Sequence, residues 1–238
     1  MIRSFIPYMI RYYIRTFKYV PILLIFTAVI GITYTQKRIL LWNTYSFTIN
    51  IIFFFAAWIS IGFFDSEDTI QQQLSFLRSN SKISYYLSKI ISIWIISVFF
   101  NIVIVFTPIL FNMFKPPVFW YEVAFALIIH IFISLLGISV SAFFQTRILP
   151  DRRTALAGLF LLLLVSSLQV IMVKSFAFLK YITWLLPPVS FVSEKMLSLG
   201  GTSIYFMMSS ISSCIIYILL YSMLLMGLYF KIILRKMF

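Results

Sequence analysis

The chain alternates long apolar runs with short polar connections, and run length sorts the segments into kinds. Runs at 19–35, 46–64, 90–112, 120–144, 156–174 and 202–230 approach the roughly 20 residues that an α-helix needs to cross a bilayer. The first is short and bounded by Gln36, Lys37 and Arg38, and the third carries Pro108 near its end. The sixth is long enough to tilt or to extend past the bilayer. The pattern predicts an all-α membrane protein with six transmembrane helices in one domain, 1–238, with no fixed-period repeat and no low-complexity linker.

Residues 1–18 are patterned differently. At 100° per residue Arg3, Arg11, Arg15 and Lys18 fall within an arc of about 120°, opposite Ile2, Phe5, Ile6, Met9, Tyr13 and Phe17. This predicts an amphipathic helix lying in the membrane plane with cations toward anionic headgroups. The alternative is a plain extension of the first span. Charges are spread through these turns and no small-residue cleavage site follows, so a cleavable signal is not expected.

Two further segments break the run-and-connection rhythm. In 65–78, Asp65 or Ser66 can cap a helix, Glu67 and Asp68 would sit in its first turn, and Arg78 near its end. Ile70, Leu74 and Leu77 recur at i, i+4 and i+7, giving one apolar edge. Such a short helix offers a partner protein a ridge to grip, or else rests on headgroups. In 176–199, Phe176–Leu186 and Val189–Leu199 are apolar but too short to cross. Pro187 and Pro188 separate them and Gly200-Gly201 close the pair, which predicts two half-helices that dip into the membrane and return, as an outer gate or a structural plug.

Composition agrees with the pattern. Of 238 residues 62% are hydrophobic and 11% charged, with a mean hydropathy of +1.04. A soluble domain carries roughly 25% charged residues, so lipid is the expected solvent. The net charge of +13 does not gather on one soluble domain, which argues against nucleic acid. With the N-terminus inside, Arg3, Arg11, Arg15, Lys18, Arg78, Lys82, Lys89, Arg147, Arg152, Arg153, Lys231, Arg235 and Lys236 face the cytoplasm. Lys37, Arg38, Lys115, Lys174, Lys180 and Lys195 face outward, so the excess of inside charge puts both termini in the cytoplasm. Lys37 and Arg38 oppose that rule locally. Cys214, the single cysteine, excludes an intrachain disulfide.

Candidate chemistry is sparse. His130 is the one histidine and lies within a span, as a functional group or a hydrogen-bonded packing residue; alone it cannot assemble a metal site. Asn50, Ser166 and Gln169 are polar at membrane depth and must face protein or water, lining a path or bonding between helices. Asp151 is expected to anchor a turn after Pro150, and Glu122 and Glu194 are outer-face carboxylates. No G-x-x-x-x-G-K-[ST] loop occurs, so the chain itself does not cradle ATP. An intramembrane enzyme would need clustered Glu, His or Asp within spans, and none is clustered. An immunity or scaffold protein that binds a toxin without transport is the other alternative.

Over essentially its whole length the chain resembles the permease subunit of ABC-2 family ABC exporters. The resemblance rests on the order of elements and on Glu67, Leu74, Leu77, Arg78, Ser79, Ser81, Tyr85, Tyr86, Leu87 and Lys89 at the approach to the third span. It rests also on Trp184-Leu185-Leu186-Pro187-Pro188-Val189-Ser190 in the outer segment; where that family carries a glycine near the first motif, Thr69-Ile70-Gln71 stands here. The resemblance implies a coupling helix whose contacts with a separate ATPase involve Ser66, Glu67, Asp68, Ile70, Leu74, Leu77 and Arg78, and an outer gate at Trp184, Pro187 and Pro188. It places the second and fifth spans at a dimer interface, so that Asn50, Ser166 and Gln169 become possible pathway residues, with His130 of the fourth span as a further candidate. It further implies no cofactor on this chain, ATP and Mg on the ATPase subunits, and a second permease chain, identical or different. The expected substrate is a peptide or other amphipathic compound, and the expected site a bacterial cell membrane.

Overall fold

The computed structural model describes residues 2–35, 38–79 and 81–235, leaving aside the side chains of Ile2, Arg3, Thr69, Arg78 and Ala177. Gln36, Lys37 and Lys236, which enter the boundary and charge readings above, lie outside the described residues. The described chain is helical: α1 (Ile2–Arg15), α2 (Tyr19–Thr33), α3 (Leu41–Phe64), α4 (Thr69–Arg78), α5 (Lys82–Leu110), α6 (Trp120–Ser141), α7 (Arg152–Ser175), α8 (Lys180–Thr183), α9 (Val189–Leu197) and α10 (Ile204–Arg235). The one β-type pairing among the described residues is an isolated bridge, in which Ile39 N–H meets the Met113 carbonyl at 3.1 Å and Lys115 N–H the Ile39 carbonyl at 3.0 Å.

Among the described residues five helices are long and apolar enough to cross a membrane: α3, α5, α6 with the 3-10 turn that follows it, α7 and α10. The segment expected to be the first span is different. Its helix, α2, has 15 residues and so spans about 22 Å, short of the roughly 30 Å hydrocarbon core. It meets that standard only together with α1, from which it is bent by 81°. The bend sits at Phe17, whose φ of 53° lies in the left-handed region and ends α1. The described chain therefore has the make-up of a multi-pass membrane protein, with five helices of spanning length and one bent pair.

α3 is the centre of the bundle: 72% of its apolar window is covered by the rest of the chain, against 17% for α7. It packs on α6, α5 and α9, and its Ile49, Ile52, Phe53, Ala56 and Ala57 are buried. α3 and α6 approach closely because α6 carries Gly137 at the crossing. A Cβ there would lie 2.7 Å from the Phe53 carbonyl oxygen and 3.2 Å from Ala56 Cβ. Small residues let backbones meet in a solvent that supplies no hydrophobic drive between helices. α10 packs along α6, while the outward sides of α7 and α10 (Leu161, Leu164, Leu168, Leu220, Leu224) stay uncovered, as lipid-facing positions do.

Helix starts follow local chemistry. The Ser81 hydroxyl accepts the Ser84 N–H at 3.1 Å and opens α5. The Asp151 carboxylate accepts the N–H groups of Arg153 and Thr154 and opens α7 after Pro150. At α6, the Glu122 carboxylate accepts the Phe119 N–H at 3.2 Å and also the Trp42 indole N–H at 3.1 Å, tying the starts of α3 and α6 together.

Candidate functional site

The densest set of polar contacts lies at the end of the bundle that carries α1 and α4. There the last turn of α3, the first turns of α5, the α6–α7 turn and the C-terminal part of α10 converge beneath α4. At the centre is a buried ion pair: Lys89 Nζ lies 3.0 Å from Glu67 Oε2, with both side chains only 2% exposed. Lys89 also donates to the Phe64 carbonyl at 3.1 Å, and the Tyr85 hydroxyl donates to the same Glu67 oxygen. Tyr85 and Lys89 are four residues apart, so one face of α5 presents both to Glu67. Charges this deep persist only when paired and hydrogen-bonded, which the arrangement supplies for Lys89.

A second tier braces α4. Gln72 donates to the Glu67 carbonyl at 3.1 Å and accepts from Arg147 at 2.8 Å, and Arg147 also donates to the Tyr86 hydroxyl at 3.1 Å. The Arg147 guanidinium stands 5.4 Å from the ring centroid of Phe76, which packs against Tyr85 and Tyr86. Asp65 accepts the backbone N–H and hydroxyl of Thr146 at 3.0 and 2.8 Å, and its carbonyl accepts from Lys18 at 2.7 Å. Tyr229 of α10 accepts from Gln145 at 3.0 Å and packs against Phe64 and Tyr86. On the far side of α4, Gln71 donates to the Tyr8 hydroxyl of α1 at 2.5 Å.

With its inner side held, α4 turns its apolar edge outward. Ile70 is 71% exposed, Leu74 50% and Leu77 84%. Nothing in the described chain covers this ridge.

The expected helix start is corrected. α4 begins at Thr69, so Glu67 and Asp68 are not in its first turn, and Asp68 occupies the N-cap position without a side-chain cap bond. The reason is tertiary: Ser66 folds back on the Phe63 carbonyl through both its N–H and its hydroxyl, while Lys89 and Tyr85 draw the Glu67 carboxylate inward. Ser66 and Glu67 are buried and form no part of the exposed ridge, whereas Asp68 is exposed. Arg78 closes α4, its side chain lying outside the described set.

The remaining sequence candidates disperse. Asn50 donates to the Ser46 carbonyl and to Ser193 Oγ, and Ser46 and Ser193 bond each other, so the three join α3 to α9. Gln169 donates to the Thr183 carbonyl at 2.7 Å and accepts from Ser190, joining α7 to the α8–α9 segment. Ser166 donates back to the Leu162 carbonyl of its own helix. His130 is buried, with Nε2 2.9 Å from Thr48 Oγ1 and Nδ1 2.7 Å from the Ala126 carbonyl oxygen. Among the described residues no three His, Cys, Asp or Glu gather closely enough to hold a metal.

The 176–199 segment also departs from two equal half-helices. Its first half is a 3-10 turn (Ala177–Leu179) and the single turn α8. Leu185 and Leu186 bond the carbonyls three residues back, and Pro187 has no N–H to extend the helix. Trp184 is exposed beside an apolar groove that Leu185, Pro187 and Tyr221 also line. Pro188 precedes α9, whose Val189, Val192 and Met196 are buried in contact with the bundle.

Tyr85, Tyr86 and Lys89 stood in the sequence as residues of the resembling motif, but the pairing of Tyr85 and Lys89 with Glu67, and of Tyr86 with Arg147, carried no local signal. Arg147, Gln72, Gln145 and Tyr229 were missed as site residues altogether. No family model, curated protein or solved structure matches the chain.

Proposed function

We propose that this chain is the membrane-spanning subunit of an ATP-driven exporter of the ABC-2 type. On this reading the bent α1–α2 pair is an interfacial helix followed by the first of six spans. Both termini and α4 face the cytoplasm of a bacterial cell, and the α8–α9 segment is the outer re-entrant pair. α4 docks on a separate ATPase subunit, which binds ATP and Mg, and the chain pairs with a second permease subunit to complete a path for a peptide or other amphipathic compound.

The observation that carries the proposal is the two-sidedness of α4. Its outward edge is an uncovered ridge of Ile70, Leu74 and Leu77, matching the i, i+4, i+7 anchors of a helix that seats in a partner's groove. Its inward side is fixed to α3, α5 and the α6–α7 turn through Gln72, Phe76 and the Glu67–Lys89 pair. A displacement of α4 by its partner therefore passes into α3 and α5 as a rigid-body movement rather than into a slack loop.

The test is co-purification of the chain with its native companions. The expected companion carries a phosphate-binding loop and hydrolyses ATP. Leu77→Asp is expected to abolish its recovery while the variant still inserts and purifies from the membrane. Recovery of the ATPase with Leu77→Asp undiminished, or a wild-type complex devoid of any nucleotide hydrolase, overturns the proposal.

A further inference from the structure

Around α1, four sectors succeed one another at 100° per residue. Met9 and Tyr13 are buried against the bundle, Tyr13 with its ring 4.9 Å from that of Phe63. Next come Ile10 and the exposed Ile14, then the exposed Arg11 and Arg15, then Tyr8 and Tyr12. The last sector faces α4, where the Tyr8 hydroxyl accepts from Gln71. α4 stands off the end of the bundle, and the isoleucines continue the apolar flank. On the proposed reading of α1 as an interfacial helix, on which this inference rests, the two exposed arginines lie at the level of the headgroups.

Arg11, Arg15, Tyr8 and Tyr12, with Ser4 and Pro7, line a shallow recess of about 360 Å³. Neither arginine has an acidic partner: the ion pairs among the described residues are Lys89–Glu67 and Lys174–Glu194. Two forked, always-charged donors beside two phenols match a phosphate oxyanion.

We propose that this recess binds the phosphate headgroup of an anionic phospholipid, and that the bound lipid steadies α4 through the Tyr8–Gln71 hydrogen bond. Tyr8 belongs to both structures, since it lines the recess and holds the helix. A lipid clamped by Arg11 and Arg15 restrains the α1 turn from which Tyr8 projects. α4 is otherwise held only on its inner side, so its outer edge is steadied in an anionic bilayer and looser in a neutral one.

The experiment uses the full chain, purified alone and placed in nanodiscs of phosphatidylcholine or of an equal mixture with phosphatidylglycerol. Native mass spectrometry reads retained phosphatidylglycerol, and hydrogen exchange reads the α4 amides. Phosphatidylglycerol is expected to be retained and to slow exchange across α4. Arg11→Gln and Arg15→Gln are each expected to lower that lipid's affinity about fivefold, and about thirtyfold together, with the α4 response lost. Arg11→Lys with Arg15→Lys is expected to keep most of the binding. Gln71→Met, which removes the donor to Tyr8 without touching the recess, is expected to retain the lipid yet uncouple α4 from it. Equal retention by the double glutamine variant overturns the lipid site, and identical α4 exchange in the two bilayers overturns the steadying of α4 by lipid. An α4 response that survives in Gln71→Met overturns the route through the Tyr8–Gln71 bond. Because no ATPase is present, failure here leaves the exporter reading untouched.

Discussion

Removing either charge of the buried pair, Lys89→Met or Glu67→Ala, should destabilise the protein far more than removing both. Lys89 Nζ and Glu67 Oε2 are 3.0 Å apart. At an effective dielectric of about 20, the attraction at that separation is about 5.5 kcal/mol. Desolvating each ion costs several kcal/mol, so the intact pair gains little over an apolar one. A lone partner is another matter. In Glu67→Ala the ammonium keeps only the Phe64 carbonyl and the Tyr85 hydroxyl. In Lys89→Met the carboxylate keeps only the Tyr85 hydroxyl, since Glu67 Oε1 has no hydrogen-bond partner among the described residues. Each single variant is expected to lose about 3–5 kcal/mol. For a chain of this size that is a fall in Tm of about 6–20 °C. The assay is thermal unfolding of the purified full chain in one detergent, followed as loss of monodisperse protein, for wild type, both single variants and Glu67→Ala/Lys89→Met. The double variant is expected to regain most of the lost Tm, giving a coupling of at least about 2 kcal/mol. Strictly additive single effects would show that the two charges do not stabilise one another and would refute the central element of the site.

Gly137→Leu should separate α3 from α6, because even a Cβ at that position would lie 2.7 Å from the Phe53 carbonyl oxygen. A loss of about 1–3 kcal/mol is expected in the same unfolding assay, and wild-type stability would contradict the close crossing. Asp151→Ala should fray the start of α7, seen as faster hydrogen exchange at the Arg153 and Thr154 amides. The Thr154 hydroxyl, followed by the Arg153 N–H, holds the Asp151 carboxyl below its ordinary value of 3.8. The cap's contribution is therefore complete above that value and lost as pH falls through the lower folded-state one, so wild-type protection of these amides should fade only in acid. Protection unchanged in Asp151→Ala would remove the cap.

Some of this protein can be read along the chain, because the relevant forces act within a turn or two of helix. The bilayer demands apolar stretches of a given length, and α3, α5, α6, α7 and α10 stand where such stretches occur. The Ile70–Leu74–Leu77 edge and the basic arc of α1 follow from the 3.6-residue period alone. What the chain could not disclose is which polar groups would leave water together. Glu67 looked like a first-turn helix acid because local dipole and propensity favour that placement. Its burial against Lys89, 22 residues on, depends on α5 packing beside the end of α3. His130 and Thr48 are 82 residues apart, and Tyr229 reaches Gln145 across 84. α2 reads as a crossing segment by its composition, yet its helix is too short until the bend at Phe17 joins it to α1. Local pattern sets where helices form and which side of each is apolar. Which buried donor finds which acceptor is decided only when the helices pack, since an unpaired polar group costs most where water is absent.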